Sequence, residues 1–133
     1  RLDELQASFL SVKLPVLDAD NSARRDVATA YIKGITNPKI VLPAHDGSKN
    51  HVFHLFVIQI SNREAMIAHL TKHEVGYLIH YPIPPHQQEA LVDFSNLTFP
   101  TTEKIHQQVL SIPISPILNN NEVQKIIEVL NSF

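Results

Sequence analysis

The strongest constraint on the fold of this chain is the segment from His80 to Gln88, in which three of nine residues are proline. Proline fixes the backbone angle φ at about −65° and has no N–H to donate, so the segment suits neither a helix interior nor a central strand. We predict a stiff, extended exit from a strand, which presents polar side chains from a rigid frame. Ligands are usually bound by such loops. The polar residues concerned are His80, Tyr81, His86 and Gln87.

The composition limits the classes of protein to which this chain can belong. The chain has 133 residues, of which 44% are hydrophobic and 18% charged, as expected of one globular domain with a real core. A net charge of −2 with dispersed basic residues argues against nucleic acid or an anionic membrane as a partner. The absence of cysteine excludes disulfides and thiolate chemistry. No stretch resembles a signal peptide or is long enough to cross a bilayer, so we expect a cytoplasmic protein.

The first part of the chain is predicted to be two helices. Apolar residues recur every three or four positions from Leu2, which predicts a helix over residues 2–14 that Pro15 interrupts. A second helix is expected from residue 16 or 21 to residue 33, with Gly34 ending it. Because Arg1 lies inside the first pattern with no capping residue before it, we expect the chain to be part of a longer protein.

The middle of the chain reads as short strands around a helix. Residues 39–42 and 52–60 are rich in β-branched residues and predict two strands joined by a polar loop. Ser61 and Glu64 fit a capping box, which predicts that a helix begins there. We expect Gly76 to follow the helix and to release the chain into a third strand at residues 77–79.

Two further helices complete the prediction. Thr101 or Thr102 is expected to cap a helix that starts after Pro100, and residues 111–115 are expected to be extended. Residues 119–121 are three asparagines in front of an apolar pattern at 3.6-residue spacing, which predicts a last amphipathic helix. The sum is an α/β or α+β domain with a small, mainly antiparallel sheet and flanking helices.

Eight histidines raise the possibility of a metal site. His51 and His54 are expected on one strand, where residues three apart point to opposite faces and do not share one ion. His80 and His86 are close in sequence, but neither cysteine nor a His-Glu-x-x-His helix completes a ligand set. We expect no metal site. The non-functional interpretation is that His54 has a structural role and that the histidines on helices are surface groups. These are His69, His73 and His106.

The chain has no motif typical of a nucleophilic hydrolase or of a phosphate-binding loop. There is no Gly-x-Ser-x-Gly elbow and no glycine-rich phosphate loop. The proline-rich segment therefore remains the candidate site. Its alternative interpretation, equally weighted from residue types alone, is an edge loop with incidental polar residues.

Five motifs, in this order and at this spacing along the chain, favour a functional site over an incidental edge loop. They are Arg1 to Ala7, Val52 to Ile58, His80 to Gln87, Phe99 to Glu103 and Leu110 to Ile114. With them the whole chain resembles the C-terminal part of the DegT/DnrJ/EryC1/StrS family of pyridoxal-phosphate-dependent nucleotide-sugar aminotransferases. It looks most like members that act on a dTDP-3-keto-6-deoxyhexose. The resemblance implies the aspartate-aminotransferase fold, with residues 1–36 as helices leading from a large N-terminal cofactor domain and residues 37–133 as the small C-terminal domain.

The resemblance also implies the chemistry of the intact protein. In this family a lysine holds pyridoxal 5'-phosphate, L-glutamate donates an amino group, and a keto-sugar linked to a nucleotide accepts it. No lysine of this chain has a matching context, so we expect the cofactor lysine before Arg1 and no activity from the chain alone. A homodimer is implied, as is a setting in lipopolysaccharide or antibiotic-sugar synthesis.

The resemblance assigns roles to individual residues. His80 and Tyr81 match the pair that contacts the nucleotide-sugar substrate, and His86 and Gln87 are weaker candidates that orient the loop. Arg1 belongs to a segment that reaches the cofactor phosphate of the neighbouring subunit. No catalytic residue is expected in this chain. The alternative is a free-standing, non-catalytic binding or interaction module derived from the same domain.

Overall fold

The computed structural model describes residues 3–133, so the role expected for Arg1 lies outside the described residues. The helices are α1 (Glu4–Lys13), α2 (Leu17–Gly34), α3 (Arg63–Lys72), α4 (Pro100–Gln108) and α5 (Asn120–Asn131). The strands are β1 (Ile40–Val41), β2 (Phe56–Ile60) and β3 (Val109–Ile112). Short 3-10 turns occupy Leu14–Val16, Pro85–Gln87 and Glu89–Phe94. Among these helices, none is both long and apolar enough to span a bilayer.

The three strands form one antiparallel sheet in the order β1-β2-β3. Ile40 lies opposite Ile60, and Phe56 lies opposite Ile112. Alternate residues of β2 are buried, as the two-residue period of a strand requires. The prediction of a small antiparallel sheet with flanking helices is confirmed.

One hydrophobic core lies between the sheet and the helices α2, α3 and α5. Helix α5 begins with a capping box in which Asn119 and Glu122 bond each other's backbone N–H groups. Its apolar stripe is buried, as the sequence predicted. The C-terminal half of α2 enters the same core through Val27, Ala28 and Tyr31.

The leading helices join through a tight turn. Pro15 lies in the 3-10 turn between α1 and α2, at its start, where its missing N–H costs nothing. The expectation that the first helix has no cap is wrong, because the Asp3 carboxylate accepts the Leu5 N–H at 2.8 Å. The apolar side chains of α1 are exposed, and α1, described over its whole length, contributes no buried residue.

Two predicted strands differ from the structure. The run at residues 52–60 becomes a strand only at Phe56, because Phe53 adopts a φ of 50° and turns its ring into the core. His51 and His54 therefore lie before the strand, not on it. The strand expected at residues 77–79 is reduced to one bridge, in which Leu78 pairs with Ser111. Beyond it, Tyr81 with a φ of 53° and Pro82 prevent the pairing from continuing.

Two helix starts were also predicted wrongly. Asn62 rather than Ser61 caps α3, since its side chain accepts the Ala65 N–H at 3.0 Å. At the other end of α3, Glu74 has a left-handed φ of 57°, and Gly76 follows the helix as expected.

Pro100 begins α4 and does not precede it, because a proline at the first helical position lacks only an N–H that would be unpaired. Neither Thr101 nor Thr102 is the cap. Instead the Glu103 carboxylate reaches back to the Phe99 N–H at 2.8 Å.

Candidate functional site

A groove of about 270 Å³ lies where the proline-rich segment leaves the sheet. Its walls are the turn before β2, the segment from Gly76 to His80 that contains the Leu78 bridge, and the end of β3. Its polar side chains are His54, Tyr77, His80 and Ser111. The groove is open to solvent, so it does not enclose a small molecule by itself.

His80 is half-buried and is held by a residue of β3. Its Nδ1 lies 2.8 Å from Oγ of Ser111, a residue that is only 6% exposed. Two backbone hydrogen bonds to Leu78 fix Ser111 in turn. The arrangement in which Ser111 donates and Nδ1 accepts keeps the proton of this buried hydroxyl paired, whereas an unpaired one is costly. A neutral imidazole that accepts at Nδ1 carries its proton at Nε2, so His80 can donate to a ligand oxygen.

Tyr81 follows His80 and is 76% exposed. Its φ of 53° lies in the left-handed region, which a bulky side chain rarely adopts. Its carbonyl oxygen accepts a hydrogen bond from Nδ1 of His106 on α4. The side chain of Tyr81 is exposed next to His80, although Tyr81 does not line the groove itself.

His86 has a different environment. It is only 6% exposed, and its Nε2 donates to Oε1 of Glu103 at 3.2 Å. Its ring also meets the ring of Phe99 edge to face, with the centroids 4.9 Å apart. The same carboxylate oxygen accepts the Phe99 N–H, so one side chain ties the proline-rich segment to the start of α4.

Gln87 is exposed, and its backbone N–H closes the 3-10 turn by donating to Pro84 at 2.9 Å. These contacts fit the loop-orienting role expected of His86 and Gln87. The expectation that His80 and Tyr81 contact a ligand stays a prediction.

Sequence reasoning missed two residues at this site, Ser111 and His106. Ser111 lies among apolar residues of a strand and carries no local signal. His106 lies three residues after Glu103, on the same helix face, and that spacing could have linked the two to one loop. The expectation that His69 and His106 are plain surface groups is wrong, since His69 donates from Nε2 to the Val129 carbonyl at 2.8 Å.

The described residues offer neither a metal site nor an enclosed lysine. In the part of the chain that the structure describes, no three histidine or acidic side chains are grouped to hold a metal ion. All lysines of the chain are exposed, so none lies in an enclosed site of the kind that a covalently held cofactor needs. Among residues 3–133, no lysine is therefore placed to hold pyridoxal phosphate covalently in an enclosed site. The lysines are Lys13, Lys33, Lys39, Lys49, Lys72, Lys104 and Lys125.

The sequence is similar to known sugar transaminases over its whole length. The profile of the DegT/DnrJ/EryC1/StrS aminotransferase family matches residues 1–131. A dTDP-3-amino-3,6-dideoxy-alpha-D-galactopyranose transaminase of Aneurinibacillus thermoaerophilus is 47% identical over 133 residues, which are 100% of this chain and 37% of that protein. A UDP-N-acetyl-3-dehydro-alpha-D-glucosamine 3-aminotransferase of Acidithiobacillus ferrooxidans is 35% identical over 98% of this chain and 35% of its own length. The chain therefore spans about a third of the length of these relatives.

Solved structures show the same fold. DesV of S. venezuelae, in complex with a ketimine intermediate, matches with a TM-score of 0.90 and 32% identity over 99% of this chain and 36% of that one. A DegT DnrJ EryC1 StrS aminotransferase from Brucella abortus matches with a TM-score of 0.89 and 28% identity over 100% of this chain and 36% of that one. The helices and three-stranded sheet described above are therefore an architecture found in aminotransferases.

Proposed function

The chain belongs to the DegT/DnrJ/EryC1/StrS aminotransferase family, and we propose that the whole protein transfers an amino group from L-glutamate to the keto group of a dTDP-linked deoxysugar. The observation that carries the proposal is the 47% identity, along the whole chain, to a transaminase named for a dTDP-amino-sugar. The UDP-sugar enzyme is 35% identical, so the higher identity favours dTDP within the wider class of nucleotide sugars.

Pyridoxal phosphate would carry the amino group between donor and acceptor when bound. We assign its lysine to a preceding N-terminal domain, which agrees with the exposure of every lysine in this chain. In this division residues 1–36 lead from the cofactor domain, and residues 37–133 form the small domain that supplies one wall of the active site. The exposed apolar side chains of α1 agree with a face that the preceding domain or a second subunit of a cytoplasmic homodimer covers.

Within this chain His80 and Tyr81 are the proposed substrate contacts. A sugar diphosphate offers hydroxyl groups and anionic oxygens, and the Nε2–H of His80 and the phenol of Tyr81 can both donate to them. Ser111 sets the tautomer of His80 that makes this possible. Buried His86, through Glu103, keeps the loop that carries both groups attached to α4.

The test is steady-state kinetics of the full-length enzyme with two variants, His80→Ala and Tyr81→Phe. We expect each to raise the KM for the dTDP-keto-sugar by about tenfold, the equivalent of roughly 1.4 kcal/mol, and to leave the KM for L-glutamate unchanged. His73→Ala is the matched control, because His73 lies at the end of α3, outside the groove. Unchanged KM values for both substrates would reject the substrate-contact roles. A gene with no lysine-bearing cofactor domain before this chain would reject the transaminase itself in favour of the non-catalytic module.

A further inference from the structure

The backbone of Tyr81 is in an unfavourable conformation. An aromatic residue with a φ of 53° is uncommon, and the proline that follows Tyr81 favours an extended conformation instead. Such a conformation is unfavourable and persists only where its surroundings hold it. The hydrogen bonds of His80 and of the Tyr81 carbonyl show which residues stabilise this conformation.

The residue before Tyr81 is fixed by β3 through the bond between His80 and Ser111. Tyr81 itself is fixed by α4, because its carbonyl oxygen accepts from Nδ1 of His106. A carbonyl oxygen can only accept, so Nδ1 of His106 carries the proton. The side chain of the residue before Tyr81 is therefore anchored to β3, and the peptide unit after Tyr81 is held by His106.

The backbone of His106 is itself held by a hydrogen bond from α3. Its carbonyl oxygen accepts from Nη1 of Arg63, the first residue of α3, and the same nitrogen lies 3.3 Å from the Val109 carbonyl oxygen. Two residues further, Gln108 bonds Gln59 of β2 at 2.7 Å. His106 therefore projects from a helix end that is attached to both α3 and the sheet.

We propose that His106 is a positioning residue for nucleotide-sugar binding. It holds the Tyr81 carbonyl and so fixes the direction in which the phenol leaves the loop, without touching the substrate. The inference deepens the proposed function and rests on the role of Tyr81 as a substrate contact. It assigns to α4 a part in substrate binding, because a shift of α4 relative to the sheet would move the phenol.

The experiment measures the affinity of the full-length protein for dTDP-glucose by calorimetry, next to transaminase activity. We expect His106→Ala to weaken binding about fivefold, on the order of one hydrogen bond's net contribution. His106→Asn should restore most of the affinity, since a carboxamide N–H can donate near the position of Nδ1. Gln107→Ala, at the exposed neighbouring position on α4, is the control and should bind as the wild type does.

The decisive comparison uses the Tyr81→Ala background. If His106 acts through the phenol, His106→Ala causes no further loss there, because no phenol remains to be positioned. A full additional loss in that background, or no loss from His106→Ala alone, would overturn the inference. Failure of the wild type to bind dTDP-glucose would overturn it together with the proposed substrate. Intact binding without amino transfer from L-glutamate would overturn only the proposed activity.

Discussion

A Cβ atom added to Gly34, the last residue of α2, would lie 2.8 Å from Cδ1 and 3.1 Å from Cγ2 of Ile127 on α5. The glycine is therefore required by close packing of the two helices and not by its backbone angle. Ile127 is buried, so its side chain has little free space in which to move away from the added atom.

We expect Gly34→Ala to lower the free energy of unfolding by about 1–3 kcal/mol through overpacking, less a small gain in helix propensity. Urea denaturation of the 133-residue chain, followed by circular dichroism, measures the change. Gly76→Ala is the matched control, because a Cβ there meets nothing within 4 Å. Equal effects of the two substitutions would contradict the packing argument.

The capping box of α5 gives a second prediction. Oδ1 of Asn119 accepts the N–H groups of Asn121 and Glu122, each at 3.0 Å, and Oε2 of Glu122 accepts the Asn119 N–H at 2.9 Å. Asn119→Ala removes the side-chain acceptor and is expected to cost about 1 kcal/mol of stability. Asn120→Ala, one residue later, should change the urea midpoint little. A loss as large in the control would show that the cap is not what matters.

Helix α5 and the central strand could be predicted because their signals are local. The cap and the 3.6-residue apolar pattern of α5 lie within 12 consecutive residues. The errors occur where a distant residue decides the conformation. The bridge at Leu78 depends on Ser111, and the bend before β2 depends on burial of Phe53 in a core built by other elements.

The residues of the candidate site also fall into two groups, those with a local sequence signal and those whose partners are distant in the sequence. His80 and Tyr81 could be proposed as substrate contacts from their types, from the prolines that follow and from a family resemblance. Ser111 and His106 could not, since they lie 31 and 25 residues away from the groups they hold. A side chain that orients another across such a distance becomes visible only when the sheet and α4 bring the two together.

Tyr31 gives a prediction about alkaline pH. Burial, and secondarily the negative charge of Glu122, raise the pKa of the Tyr31 phenol above its usual value. The neutral phenol donates to the Pro113 carbonyl at 2.9 Å. Because the folded state retains this proton more tightly than the unfolded state, the stabilisation is fully present below about pH 10 and is lost as the pH rises further.

Tyr31→Phe should cost about 1 kcal/mol at neutral pH and should reduce the decline of stability above about pH 10. Urea midpoints measured across that range test both effects. Tyr77→Phe is the control, because Tyr77 is 40% exposed and outside the core. A variant whose stability declines with pH as steeply as that of the wild type would contradict the role of Tyr31.

The bond between Ser111 and His80 leads to a prediction about binding. Without the Ser111 hydroxyl, Nδ1 of His80 loses its donor, and the ring is free to rotate and to carry its proton on either nitrogen. If the proposed substrate contact is right, Ser111→Ala raises the KM of the full-length enzyme for the dTDP-keto-sugar about fivefold, less than His80→Ala does, and leaves the KM for L-glutamate unchanged.

A double-mutant cycle separates this orienting role from a general loss of packing. In a protein that already carries His80→Ala, Ser111→Ala should have no further effect on the KM, since no imidazole remains to be oriented. Ser115→Ala serves as the control, because within residues 3–133 the Ser115 hydroxyl accepts a single N–H, from Ile117 in the turn after β3. Additive effects of the two groove substitutions would show that Ser111 supports the sheet and does not set the state of His80. The tautomer argument would then fail, although His80 could still contact the substrate.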